Sequence, residues 1–122
     1  MNPAINNLDF DKYLQLKSQI ESFADHAEVN LRHVASSSRE AERIRTELTL
    51  YYAALYVCQD VLGIKEARER GEWRRVNRLY SQAYEDALEF MRLEDNYPRR
   101  WYTLYMGCFI IKNDFQLSVN GY

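Results

Sequence analysis

Apolar residues recur along the chain in steps of three and four, the period of an amphipathic helix, over four long stretches. The first carries Phe10, Tyr13, Ile20, Ala24, Ala27, Leu31 and Val34, with Lys17 as the one polar interruption. This spacing predicts a helix over 10–34. Asp9 suits its N-cap, and Asp11 places a negative charge in its first turn. Three serines, Ser36 to Ser38, break the pattern. Ser37 and Glu40 have capping-box spacing: the hydroxyl reaches the N3 amide and the carboxylate reaches back. A second helix is therefore expected from 38, on a stripe of Ala41, Ile44, Leu48, Tyr51, Leu55, Cys58 and Leu62. Gly63 is a weak point, but 64–70 holds good helix formers, so the helix is expected to reach 70 with Gly71 ending it. Trp73, Val76, Tyr80, Ala83, Ala87 and Phe90 mark a third helix over 72–93. A fourth, over 98–115, opens with Pro98, whose missing N–H is not needed in a first turn. Its stripe is Leu104, Cys108, Ile111 and Phe115. The tail 116–122 has no helical period and is expected to be loose.

Helices joined by such short turns must fold back on one another, and steps of three and four favour shallow crossing angles. The expected fold is all-α: one domain over 1–122, arranged as an antiparallel four-helix bundle. The Gly71 turn would then share one end with both termini, and the other two turns would share the opposite end. Composition fits this reading. The 122 residues are 47% hydrophobic and 28% charged, with only 4 Gly and 2 Pro. That is ordinary for a globular chain, argues against disorder, and leaves few turn formers for a many-stranded sheet.

Charge and targeting signals narrow the setting. A net charge of −2 gives no general attraction to nucleic acid or anionic membranes. The nearly apolar runs over 50–58 and 101–111 fall short of the roughly 20 residues a bilayer-spanning helix needs. No basic-then-apolar leader pattern opens the chain. Cys58 and Cys108 lie inside the two apolar runs, as core thiols of a reducing compartment do. A cytoplasmic protein without a membrane segment is expected.

Candidate chemistry changes the picture little. His26 and His33 are seven apart and lie beyond the apolar stripe, so both are expected in solvent, without the spacing for a shared metal. The serine cluster has no neighbouring base, and a helix cap accounts for it. Cys58 has no histidine near it along the chain. The carboxylate pairs Glu40/Glu42, Glu85/Asp86 and Glu94/Asp95 are what solvated helix faces carry. No catalytic, cofactor-binding or metal-binding residues are predicted, and the protein is expected not to be an enzyme.

Two features stand out instead. Arginine outnumbers lysine by 12 to 4, and Arg68, Arg70, Arg74, Arg75 and Arg78 gather about Gly71. Segment 65–78 carries net +3, whereas 79–95 carries net −4. The third helix is thus charged against its own dipole at both ends, a cost of about 0.3–1 kcal/mol per charge. Internal pairing is one account: Arg99 and Arg100 with Glu94 and Asp95, and Asp9 and Asp11 with the arginines. The other is that planar guanidinium groups hold a partner's carboxylates or phosphates. The second feature is aromatic: 10 Tyr and 2 Trp. Residues 50–57 are apolar on every face of a helix, and 101–111 nearly so. One bundle face cannot cover them all, so some of Tyr52, Tyr56, Val57, Tyr102 and Tyr105 are expected to point outward. Tyrosine combines apolar area with a polar tip and suits interfaces.

The residues Gly71-Glu72-Trp73, followed by Tyr80, Ala83 and Tyr84, resemble the turn and second helix of a tetratricopeptide hairpin. Trp101, Leu104, Gly107 and Asn113-Asp114-Phe115 resemble the first helix and turn of a following repeat. The likeness spans about 60–118. The step from Trp73 to Phe115, 42 residues, departs from the usual period of about 34. The resemblance implies a peptide-binding scaffold. The function expected is a non-enzymatic protein–protein interaction module: an adaptor, an assembly factor or a small inhibitor acting sterically, with a homodimer among its forms. The partner-binding candidates are Arg68, Arg70, Arg74, Arg75, Arg78, Tyr52, Tyr56, Tyr102 and Tyr105. Alternatives are a nucleic-acid binder using the arginine cluster and a tetratricopeptide-like scaffold.

Overall fold

The computed structural model describes residues 8–95 and 109–117. All regular structure among them is helical: α1 (Phe10–Arg32), α2 (Arg39–Glu69), α3 (Trp73–Asp95) and a short helical stretch over 109–114. The fold is all-α. Residues 98–108 of the expected fourth helix, Tyr102 and Tyr105 included, lie outside the described residues. No helix among the described residues is long and apolar enough to cross a membrane.

Local chemistry sets the ends of these helices. The Asp9 carboxylate accepts the Lys12 N–H at 3.3 Å and caps α1. The cap of α2 is Ser38 rather than Ser37. Its hydroxyl accepts the Ala41 N–H at 3.1 Å and donates to the Ala35 carbonyl at 2.7 Å, fixing the turn on both sides. Glu40 therefore falls one position short of a capping box and lies 3.7 Å from Arg43 instead. Arg70 caps the end of α2, and Gly71 follows it with a φ of 70° that suits a residue without Cβ. The Gly71 N–H reaches Arg68 O at 3.0 Å, and Glu72 N–H reaches Ala67 O at 2.9 Å. The same paired bonds recur where Gln116 N–H meets Asn113 O and Leu117 N–H meets Lys112 O. There Gln116 takes the left-handed position, at φ 55°. Leu117 behind it is buried, so the start of the expected loose tail is packed.

α1 and α3 both pack along α2. The α1 face is Tyr13, Leu16, Ile20, Ala24 and Ala27. Leu16, not Lys17, completes that face, because a stripe on a 3.6-residue helix drifts by a position over a few turns. Lys17 sits beside it, paired with Glu21 at 3.0 Å. α2 continues unbroken through Gly63, which lets α3 come close: a Cβ there would lie 3.2 Å from Leu79 Cδ1. On α3, Val76, Ala83, Ala87 and Phe90 are buried as their spacing predicts, but Trp73 at the helix start is 48% exposed. Segment 109–117 adds Ile111, Phe115 and Leu117 to the core, and Phe115 lies against Tyr80 of α3 with ring centroids 5.6 Å apart.

Tyr13 is where these parts meet. Its side chain is fully buried. Burial, and next the carboxylate of Asp114, push its phenol far above the ordinary range, with Cys58 of α2 and Tyr80 of α3 contributing. Burial likewise raises Asp114. The hairpin of α2 and α3 has helices of 31 and 23 residues, too long for the two-helix repeat of about 34 residues that its sequence resembles.

Candidate interaction surface

α2 is buried over most of its circumference. Leu50, Tyr51, Ala53, Ala54, Leu55, Val57, Cys58 and Val61 are all in the core. Val57 is therefore not among the outward residues: the α1, α3 and C-terminal contacts together wrap more of the helix than a single broad face. What remains outside is a narrow strip, Thr49, Tyr52, Tyr56 and Gln59, at steps of three and four. Tyr52 and Tyr56 are 39% and 59% exposed. They stand a turn apart on one wall of a groove of about 300 Å³, with Thr49 and Ala53. α3 supplies the other wall, through Asp86, Glu89 and Leu93. The groove is mostly apolar, with carboxylates along its α3 rim.

A carboxyl pair lies at one end of this groove. Asp60, one turn beyond Tyr56 on α2, faces Asp86 of α3. Burial pushes the Asp60 carboxyl up to about 8, and Asp86 adds to this as an acceptor for its proton and as a like charge. Its Oδ2 is screened from solvent and has no hydrogen-bond partner of its own, while Gln82 Nε2 donates to Asp86 Oδ1 at 3.2 Å. The neighbouring pairs Glu40/Glu42, Glu85/Asp86 and Glu94/Asp95 are expected on solvated faces, and none of them is this pair. The pair that forms is between helices, and only the α2–α3 register reveals it.

The arginines divide into two groups. Arg70 pairs with Glu66 at 3.0 Å and Arg75 with Glu72 at 3.6 Å, both within one helical turn. Arg68 is half-buried, whereas Arg74 and Arg78 are exposed. Among the described residues no carboxylate lies within 4.0 Å of Arg68, Arg74 or Arg78. The expected pairing of Asp9 and Asp11 with this cluster does not occur. α3 has no acidic residue in its first turn to offset its arginines.

The remaining groups singled out by the sequence do not converge on one site. Cys58 is wholly buried, and burial pushes its thiol up to about 12. Ser38 is spent on the helix cap. His26 and His33 are exposed. Among the described residues, no three His, Cys, Asp or Glu side chains gather as a metal site would require. Comparisons with protein-family models, with curated proteins and with solved structures found no match.

Proposed function

We propose that this chain is a non-enzymatic interaction module, an adaptor, assembly factor or small inhibitor that acts by covering a surface of another protein. The observation that carries this reading is the α2–α3 groove: two exposed tyrosines on the stretch of α2 that is buried over most of its circumference, beside apolar residues and a charged rim. Such a surface buries apolar area on contact, and its tyrosine hydroxyls remain free for hydrogen bonds at the edge. Arg74 and Arg78, with no carboxylate within 4.0 Å among the described residues, offer a second, charged patch nearer the start of α3.

The reading includes a bundle of four antiparallel helices. Short turns at 33–38 and 70–72 support it, as does segment 109–117, which touches both Tyr13 of α1 and Tyr80 of α3. It also places the protein in the cytoplasm, in keeping with a free buried thiol at Cys58. The test is affinity capture from the cells that express the protein. Wild type is compared with a variant carrying Tyr52→Ser and Tyr56→Ser, and with one carrying Arg74→Ala and Arg78→Ala. A partner recovered by wild type and lost with the tyrosine variant supports the reading; equal recovery by all three chains rejects this surface. Recovery of nucleic acid that depends on the arginines alone would favour the nucleic-acid alternative.

A further inference from the structure

Residues 74, 78, 81, 85 and 89 recur at steps of four, three, four and four, and so share one stripe of α3. All five are exposed, and they lie opposite the buried Val76, Ala83, Ala87 and Phe90. Along this stripe the charges run Arg74, Arg78, Ser81, Glu85, Glu89. At several places on α1 and α2 opposite charges stand four apart, as in Lys17–Glu21, Arg43–Glu47 and Glu66–Arg70, where they pair at 3.0–3.2 Å, although Glu21/Asp25 and Arg39/Arg43 are like charges at the same spacing. On the outer stripe of α3 like charges are blocked along the whole stripe, basic at one end and acidic at the other. Arg74 and Arg78 are like charges four apart, and so are Glu85 and Glu89, an arrangement that is repulsive within one helix. Among the described residues Arg74, Arg78 and Glu85 have no oppositely charged group within 4.0 Å, while Glu89 pairs with Arg92 through two bonds, one of them 2.9 Å.

We infer that the complement of this stripe is a second copy of the same stripe, laid antiparallel across a two-fold axis between Ser81 and Gln82. The register closes with no adjustment: Arg74 falls opposite the partner's Glu89, and Arg78 opposite the partner's Glu85. The axis repeats both pairs, so four interchain pairs form and every repulsive neighbour gains an attractive one. The two small or uncharged residues at the axis, Ser81 and Gln82, let the helices approach. Glu89 belongs both to this stripe and to the groove. An arginine that reaches it therefore brings its aliphatic stem and guanidinium plane beside Tyr52 and Tyr56, where stacking and apolar contact add to the charge. This inference rests on the reading of the surface as an interaction face and names its occupant. Exposed ion pairs are individually weak and salt-sensitive, so the dimer is a modest one whose affinity falls steeply with ionic strength.

Charge reversal tests it. The proteins are wild type, a chain with Arg74→Glu and Arg78→Glu, a chain with Glu85→Arg and Glu89→Arg, and an equimolar mixture of the two variants. Sedimentation equilibrium at up to about 100 µM chain and ~0.05 M salt reads the mass. Wild type is expected to approach twice the 14.6 kDa chain mass and to return toward one chain at ~0.5 M salt. Each variant alone is expected to be monomeric, and their mixture to form a heterodimer, because every pair is then restored with opposite partners. Circular dichroism checks folding. If either variant fails to fold, the matching glutamine substitutions replace it, with at least about tenfold weaker self-association expected. A wild type that stays monomeric throughout overturns the inference and leaves the capture experiment to judge the wider reading. Dimers that survive either reversal unchanged place self-association elsewhere and overturn it too, as does a mixture that stays monomeric.

Discussion

The two sides of α2 use similar residues to opposite ends. On the inner side Leu48, Tyr51, Leu55 and Cys58 are buried against the rest of the core, and Tyr51 stacks near Phe23 of α1 with centroids 6.3 Å apart. On the outer side Tyr52 and Tyr56, their immediate neighbours in sequence, stand in solvent. Tyr51 and Tyr52 are chemically identical, and a rotation of about 100° separates them. Residue type therefore does not distinguish the side the fold needs from the side that is free to meet another molecule. Substitution can.

The largest effect is expected on the inner side. Leu55→Ala removes a buried side chain from the densest part of α2 and should lower unfolding free energy by about 2–5 kcal/mol, through lost transfer energy and a cavity. Chemical denaturation measures it, and an unchanged midpoint would mean that the two sides have been assigned wrongly.

Asp60 lies at the boundary between the sides. Its carboxyl has an ordinary value of 3.8 and is pushed up to about 8, by burial first and then by Asp86. The folded chain thus keeps a proton that the unfolded chain releases near pH 4, and this group's contribution to stability must fall as pH rises from about 4 to about 8. Asp60→Asn should flatten that slope and leave the variant more stable than wild type at the alkaline end. The gain is on the order of 1 kcal/mol once solvent screening of a half-exposed group is allowed for. Denaturation at several pH values reads it; parallel profiles for the two chains would remove Asp60 from the account.

On the outer side, Tyr56→Ser should change unfolding free energy by no more than about 0.5 kcal/mol, since the ring is mostly in solvent. A loss near that of Leu55→Ala would show that the groove is part of the core. The smallest effect, and one of opposite sign, is expected for Arg74→Ala with Arg78→Ala. At chain concentrations too low for self-association, removing two like charges from the start of α3 should leave the unfolding free energy, and with it the melting temperature, unchanged or raise the former by a few tenths of a kcal/mol. A clearly lowered melting temperature would assign the arginines to internal pairing.

Much of the inner side was legible in the sequence, because a helical period is a local signal. The stripe from Ala41 to Cys58 is buried, Leu55 with it, and the helix runs past Gly63. The errors have local and non-local causes. Ser37 and Ser38 are both competent caps, and only the bond from Ser38 to Ala35 decides between them. Lys17 against Leu16 is the drift of a stripe by one position. Val57 and Trp73 went the other way from expectation because how far a helix is wrapped, and where its end emerges, depend on neighbours far away in sequence. The groove itself was half legible. The apolar excess over 50–57 requires some of Tyr52, Tyr56 and Val57 to face outward without saying which, and nothing in the sequence places Asp86, Glu89 and Leu93 opposite the two tyrosines without the register of α3 on α2.

The sealed thiol of Cys58 makes this chain its own stopwatch. With no exposed surface and a thiol held near 12, it cannot meet a thiol reagent unless α2 parts from its neighbours. In a chain carrying Cys108→Ser, the labelling rate at saturating reagent would equal the opening rate of the core, and at low reagent would report the fraction open. A ligand that grips only the closed arrangement must slow that labelling in proportion to its occupancy, so binding at the groove on the outer side of the same helix can be timed without a dye, a tag or knowledge of what the ligand is.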